Sequence, residues 1–95
     1  MPKGYYVYIL ACRRNGTLYI DVTNDIARRM EEHHHGEASA FTRKHGVHTL
    51  VYLESFTEID AAIARKTRLK KYKREWKINL IEAATPGWRD LLAAR

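Results

Sequence analysis

Tyr5 to Cys12 is an unbroken apolar run rich in β-branched and aromatic residues. It is too short for a typical helix and predicts a strand buried on both faces. Arg13-Arg14-Asn15-Gly16 follows, and Asn-Gly is a strong hairpin signal. The return segment Thr17–Val22 alternates, with Leu18, Ile20 and Val22 on one face and Tyr19 and Asp21 on the other. Thr23 or Asn24 is expected to cap a helix with Asp25 in its first turn. That helix runs to about His35 and stops near Gly36, with an inner stripe of Ile26, Arg29, Met30 and His33. Residues 36–47 read as a loop holding a basic, aromatic element, Phe41-Thr42-Arg43-Lys44-His45-Gly46. His48 to Phe56 predicts a third strand, Leu50 and Tyr52 alternating against Val51 and Leu53.

The remainder reads as helical. Glu58 to about Lys73 carries an apolar stripe at Ile59, Ala62, Ile63, Leu69 and Tyr72. A second helix, about Arg74 to Ala84, presents Trp76, Leu80 and Ile81 and is ended by Pro86-Gly87. Trp88, Leu91 and Leu92 are then positioned to fold back over the core. The order β-β-α-β-α-α predicts an α+β fold, a three-stranded antiparallel sheet flanked by helices, as one domain over residues 1–95.

Composition narrows the function classes. A single cysteine, Cys12, excludes an internal disulfide framework and a Cys-based zinc cluster. No apolar run approaches the roughly 18–20 residues that span a bilayer. Met1-Pro2-Lys3-Gly4 leads directly into the first strand without a secretory leader, so a cytoplasmic location is expected. Seventeen Lys and Arg against 11 Asp and Glu give a formal charge of +6, which favours a polyanionic partner, nucleic acid first.

Several side chains are candidates for chemistry. Tyr6 and Tyr8 share one face of the first strand, and Tyr19 lies on its hairpin partner, where phenols approach one another. Arg29 and His33, four apart on one helix, project together. A core-facing arginine calls for an anion, either a carboxylate or a phosphate. Arg65, Lys66, Arg68, Lys70, Lys71, Lys73, Arg74 and Lys77 concentrate eight of the 17 basic residues in one short run. Most lie off the apolar stripe, as a phosphate-binding face or a merely solvated one. Lys66 falls instead on the inner stripe, between Ile63 and Leu69. His33-His34-His35 is a poor chelate, because consecutive helical residues diverge by about 100°.

Together these segments resemble a family. Tyr6-Val7-Tyr8, ten intervening residues and Tyr19-Ile20-Asp21 are similar to the paired motif of the GIY-YIG nuclease superfamily. The likeness continues through Val22 to Ile26, Arg29, His33, Thr42 to Val47, Leu50-Val51-Tyr52, Ala62 to Arg65, Leu69-Lys70, Trp76-Lys77-Ile78, Pro86 and Trp88 to Leu91. Coverage of nearly the whole chain points to the small bacterial single-domain branch, the UPF0213-like proteins. The resemblance implies the same α+β fold and metal-assisted hydrolysis of a phosphodiester in DNA. It implies that Tyr8 handles the proton of the attacking water and that Tyr19 orients that water or the phosphate. Arg29 would stabilise the transition-state charge, and His33 would assist proton transfer or hold a tyrosine. A glutamate on the second long helix would bind a divalent ion, usually Mg2+. Arg43, Lys44, Arg68, Lys70, Lys71, Lys73 and Lys77 are the expected nucleic-acid contacts.

The chain departs from the pattern at three positions. Asp21 stands where the family closes its second motif with glycine, Lys66 stands where the metal-binding glutamate is expected, and Thr85 precedes Pro86 in place of asparagine. An ammonium donates hydrogen bonds and cannot ligate Mg2+. Asp21 can pair with Lys66 and leave a pseudo-nuclease with no metal. It can also replace the lost ligand, or the two changes can be deliberate inactivation. The reading is therefore a GIY-YIG-like endonuclease domain with impaired cleavage. A non-cleaving nucleic-acid-binding module and a protein-interaction domain for an acidic partner are the alternatives.

Overall fold

In the computed structural model of the chain, the described residues are 4–36 and 38–92. Met1–Lys3, on which the expectation about a leader rests, lie outside them. Strands β1 (Tyr5–Ala11), β2 (Leu18–Thr23) and β3 (Thr49–Phe56) form one antiparallel sheet in the order β2-β1-β3. Helices α1 (Ile26–His34) and α2 (Ala40–His45) precede β3, and α3 (Ile59–Lys71) and α4 (Arg74–Ala84) follow it. The fold is the expected α+β one, and apart from the short helix α2 its elements follow the order β-β-α-β-α-α.

β1 is central because its neighbours need both of its edges and both of its faces. Val7 to Ala11 are all fully buried. Val7, Ile9 and Ala11 pack with Ile20, Val51, Tyr52, Ala62, Leu69, Ile81 and Trp88 on the face covered by α3 and α4. Tyr8 and Leu10 pack with Met30, Val47 and Leu50 on the opposite face, under α1. Full burial of a large aliphatic such as Leu69 or Ile81 contributes about 1.5–3 kcal/mol.

Several local expectations are corrected. The helix cap is Asp25, whose carboxylate accepts from the Arg28 amide, while Thr23 remains in β2 and its hydroxyl accepts from the Asp25 amide. The segment read as a loop contains α2. Ser39 caps it by accepting from the Phe41 and Thr42 amides, and Gly46 closes it at φ 63°. In β3 the alternation fails because a bulge lies opposite Ile9 and Leu10, whose partners are Tyr52 and Leu50. The extra residue brings Val51 and Tyr52 to the same core, and Leu53 is exposed.

On α3, Ala62 and Leu69 are buried but Ile59 and Ile63 are exposed. The inner stripe is rotated toward Arg65, which is held by Glu54 at 2.9 Å and by the Tyr72 hydroxyl at 3.3 Å. α3 ends at Lys71, and Tyr72 and Lys73 turn extended before α4. Trp76 is half exposed, and the buried tryptophan is Trp88, whose indole N–H donates to Glu82 at 2.8 Å. The segment beyond α4 does return to the core, its Leu91 amide donating to the Leu50 carbonyl at 2.8 Å.

The β1–β2 turn is closed by the Gly16 amide on the Arg13 carbonyl at 2.9 Å. A Cβ on Gly16 would overlap the Cys12 sulfur, which itself accepts from the Thr17 amide. Gly16→Ala is therefore expected to destabilise the protein by about 1–3 kcal/mol, as overpacking does. Cys12→Ala in the same chain should return part of that loss. Urea unfolding of the single and double variants measures it, and equal losses with and without Cys12 would refute the steric explanation.

Candidate active site

The register of β1 on β2 sets Tyr8 opposite Asp21 and Leu10 opposite Tyr19, so Tyr8, Tyr19 and Asp21 share one face of the sheet. α1 crosses that face with Met30 and His33 buried and Ile26 and Arg29 half buried. The Tyr8 and Tyr19 rings lie 6.4 Å apart, and the His33 ring lies 5.9 Å from the first and 5.4 Å from the second. Three aromatic side chains from a central strand, an edge strand and a helix thus meet at one place.

A chain of hydrogen bonds runs inward from this point. The Tyr8 hydroxyl is 3.1 Å from His33 Nε2, and His33 Nδ1 is 3.0 Å from Thr42 Oγ1. The single Thr42 hydroxyl proton goes to the Ser39 carbonyl at 3.1 Å. Thr42 Oγ1 then accepts from His33, which carries its proton on Nδ1 and leaves the Nε2 lone pair for the Tyr8 proton. The opposite tautomer would cost that contact and leave the Ser39 carbonyl to the Arg43 amide at 3.2 Å. Burial, and then the nearby Arg29 charge, hold the His33 pKa below its ordinary value, so the ring is neutral at pH 7. Burial, reinforced by the Asp21 charge, pushes the Tyr8 phenol far up, so its proton stays on oxygen.

Tyr19 is engaged differently. Its hydroxyl donates to Asp21 Oδ2 at 2.8 Å, while Asp21 Oδ1 accepts from the Val22 amide at 2.8 Å. Burial and this carboxylate push the Tyr19 pKa up to about 12. Phe41 stacks on Tyr19 with ring centres 6.0 Å apart and planes inclined by 27°.

Arg29 is the positively charged member of the cluster, acting on Tyr8, Tyr19 and His33 in the sense opposite to Asp21. Its Nε lies 3.6 Å from Glu32 Oε1, too long for a hydrogen bond, and is buried without a hydrogen-bond partner. A buried guanidinium N–H without an acceptor is costly and is well suited to an incoming anion.

The expected direct Asp21–Lys66 ion pair is absent among the described residues. The two groups belong to different layers. Asp21 points to the Tyr8 face and is held by Tyr19 and Val22. Lys66 is half buried on α3, which packs on the opposite face. Nor do the residues suit a divalent ion. Lys66, at the position where the family's carboxylate is expected, supplies no acceptor, and the Asp21 carboxylate is held by the Tyr19 hydroxyl and the Val22 amide on the other face. His34 instead packs against His48, with ring centres 5.9 Å apart.

The expected nucleic-acid contacts are dispersed over several elements. Arg43 and Lys44 are exposed on α2, Arg43 donating to the Gly36 carbonyl at 3.3 Å. Arg68, Lys70 and Lys71 are exposed on α3, and Lys73 sits 5.5 Å from the Trp76 ring centre. Lys70 and the half-buried Lys77 line a groove with Leu18, Tyr19, Ile20 and Phe41. Arg74 donates instead to the Asn15 and Gly16 carbonyls, bracing the hairpin. Sequence reasoning assigned no role to Thr42, Ser39 or Phe41. Ser39 before a short run closed by Gly46 was the available capping signal for α2, the helix that carries Phe41 and Thr42.

Residues 4–79 match the GIY-YIG catalytic domain. A UPF0213 protein of Haloquadratum walsbyi is 40% identical over 85 residues, covering 90% of this chain and 94% of that protein. One from Oceanobacillus iheyensis is 34% identical over 82 residues, covering 86% and 94% respectively. The solution NMR structure of a UPF0213 protein from Bacillus halodurans superposes with a TM-score of 0.54 at 31% identity, over 84% of each chain. The relatives span archaea as well as bacteria, wider than the bacterial branch suggested by the sequence.

The depressed His33 pKa has a stability consequence. Below about pH 6.5 the unfolded histidine takes up a proton that the folded one resists, so stability present above that pH is lost as pH falls toward the folded value. Melting temperatures between pH 7.5 and 5.5 should fall less for His33→Gln than for the parent. Equal slopes would show that His33 titrates normally in the fold.

Proposed function

The chain belongs to the GIY-YIG family, and on that footing we propose that it is a nucleic-acid-processing domain with impaired phosphodiester cleavage. The observation that carries the reading is the buried Arg29 N–H, which among the described residues makes no hydrogen bond and has only the Glu32 carboxylate at 3.6 Å, beside the Tyr8–His33 pair. Such a donor has a use when a phosphate oxygen enters, and the adjacent phenol–imidazole pair is a proton acceptor system. DNA is the polyanion this reading favours, in a cytoplasmic setting, and the whole chain is taken as one domain.

In this reading, once water reaches the enclosed Tyr8 hydroxyl, Tyr8 accepts its proton while its own passes to His33 Nε2, and Thr42 keeps the ring in the required tautomer. Arg29 meets the charge that builds on the phosphate. The transfer is uphill here, because burial disfavours both phenolate and imidazolium, with the Asp21 charge adding to the first and Arg29 to the second. A divalent ion would supply charge neutralisation in a family member that holds one. Lys66 and the engaged Asp21 do not fit that role. Asp21 also occupies the Tyr19 hydroxyl, which would otherwise face water or phosphate. These two features favour binding without cleavage as the second reading.

Two measurements test this. Affinity for duplex DNA should fall steeply with salt, about 0.9 log units per log unit for each neutralised phosphate. Lys70→Ala with Lys73→Ala should flatten that slope by up to about 2. An unchanged slope makes those lysines a solvated face, and an acidic protein bound in preference to DNA replaces this reading with the protein-interaction one. Asp21→Gly, which frees the Tyr19 hydroxyl, should raise nicking of plasmid DNA in the presence of Mg2+ at least about tenfold, 1.4 kcal/mol off the barrier. Comparable nicking by the parent would overturn the impairment.

A further inference from the structure

Beside the tyrosine cluster, along the outer edge of β2, runs a groove of about 330 Å³. Leu18 and Ile20 supply apolar wall, Phe41 and Tyr19 an aromatic one, and Lys70 and Lys77 basic groups. No acidic residue lines it among the described residues. Phe41 is 42% exposed, on a helix whose only fully buried residue is Thr42. Its ring is stacked on Tyr19 and packed at 4.6 Å against His45, so it is held rather than loose. An exposed, ordered phenylalanine next to two lysines is poorly explained as core packing.

Apolar surface flanked by ammonium groups suits a flat aromatic ring joined to an anion. Within a duplex, each base is enclosed by its partner and stacked neighbours, so the ring face is withheld from a groove on a protein surface. An unpaired strand offers the base and its phosphate together. We propose that this groove holds one unpaired base of single-stranded DNA, packed against Phe41, with the flanking phosphates on Lys70 and Lys77. The proposal rests on the nucleic-acid reading above and narrows it from a polyanion to a single strand. Tyr19 belongs to both the groove wall and the tyrosine cluster. A base in the groove therefore leads its strand toward Arg29 and Tyr8.

Fluorescence anisotropy with the whole protein tests this by binding alone, without cleavage. The probes are a labelled 12-nucleotide single strand, the same sequence as a duplex, and the same strand with abasic sites, which keeps the phosphates and removes bases. The intact strand should bind about fivefold or more tighter than the abasic one, the scale of one aromatic–base stack. It should also bind more tightly than the duplex. Phe41→Ala should remove the advantage over the abasic strand, and Phe41→Trp should retain it. Both leave salt dependence unchanged, whereas Lys70→Ala with Lys77→Ala should lower the single-strand slope by about 1.4. Equal affinity for intact and abasic strands overturns the proposal with no variant needed. So does duplex binding as tight as single-strand binding, which leaves the nucleic-acid reading standing. Binding of neither DNA form refutes both readings, and capture of an acidic aromatic peptide instead would assign the groove to a protein partner.

Discussion

A phenol buried at the middle of the central strand constrains much of one side of this molecule. Tyr8 is wholly enclosed, and its hydroxyl would cost roughly 1–3 kcal/mol if left without a partner. Among the described residues His33 meets it, from α1. His33 is itself fully buried and needs a second partner, which Thr42 of α2 supplies. Thr42 in turn is held by Ser39, the residue that caps α2. Four polar groups from three elements are thus satisfied in series, and loss of one leaves the next exposed to the same penalty. That dependence locks the histidine tautomer and orients the ring edge toward the phenol.

The two faces of the sheet carry different physics. Toward α3 and α4 the core is almost wholly aliphatic and aromatic, with Arg65–Glu54 at its border. Toward α1 the apolar cluster is small and is interrupted by the Tyr8–His33–Thr42 chain. Stability therefore resides mainly on one side of β1 and chemistry on the other. This division also explains why an acid at 21 and a base at 66 coexist without pairing. Asp21 is on an edge strand, where its carboxylate finds a neighbouring phenol and a backbone amide. Lys66 extends from the opposite layer, half in solvent. Each charge is accommodated locally, and the price is a tyrosine whose proton is harder to remove.

Much of the scaffold was legible because period and turn chemistry agree in it. The five apolar residues from Val7 to Ala11 demanded a central strand, Asn15-Gly16 demanded a hairpin, and the Ile26–Arg29–Met30–His33 stripe fixed which side of α1 meets the sheet. The errors share a cause. At Val51–Tyr52 a bulge inserts one residue, which strict alternation cannot anticipate. On α3 the pattern Ile59–Ile63 was read as core. Yet Arg65, by pairing with Glu54, takes the inward position that aliphatic spacing assigned to isoleucine. Asp21 and Lys66 were joined on charge and a shared likeness to one family site. Burial and layer, which decide contact, are properties of the assembled sheet.

The least legible residue, Thr42, is also the most instructive. As one member of a polar, basic stretch it carries no hydrophobic periodicity, and nothing local distinguishes it from a surface threonine. Its burial follows from a need elsewhere: a neutral histidine with both nitrogens enclosed requires one acceptor and one donor. Once Tyr8 is fixed as donor to Nε2, the partner of Nδ1 must be an acceptor. A hydroxyl whose own proton is already committed to a carbonyl meets that condition. A glutamine at that position would offer a donor as readily as an acceptor and leave the tautomer undetermined, and a lysine, which only donates, would demand the opposite one. The short helix that delivers Thr42 from below the histidine also delivers Phe41 to the stacked position on Tyr19. One capped turn therefore serves the buried proton chain and the exposed aromatic wall together, which ties the geometry of the groove to that of the tyrosine cluster.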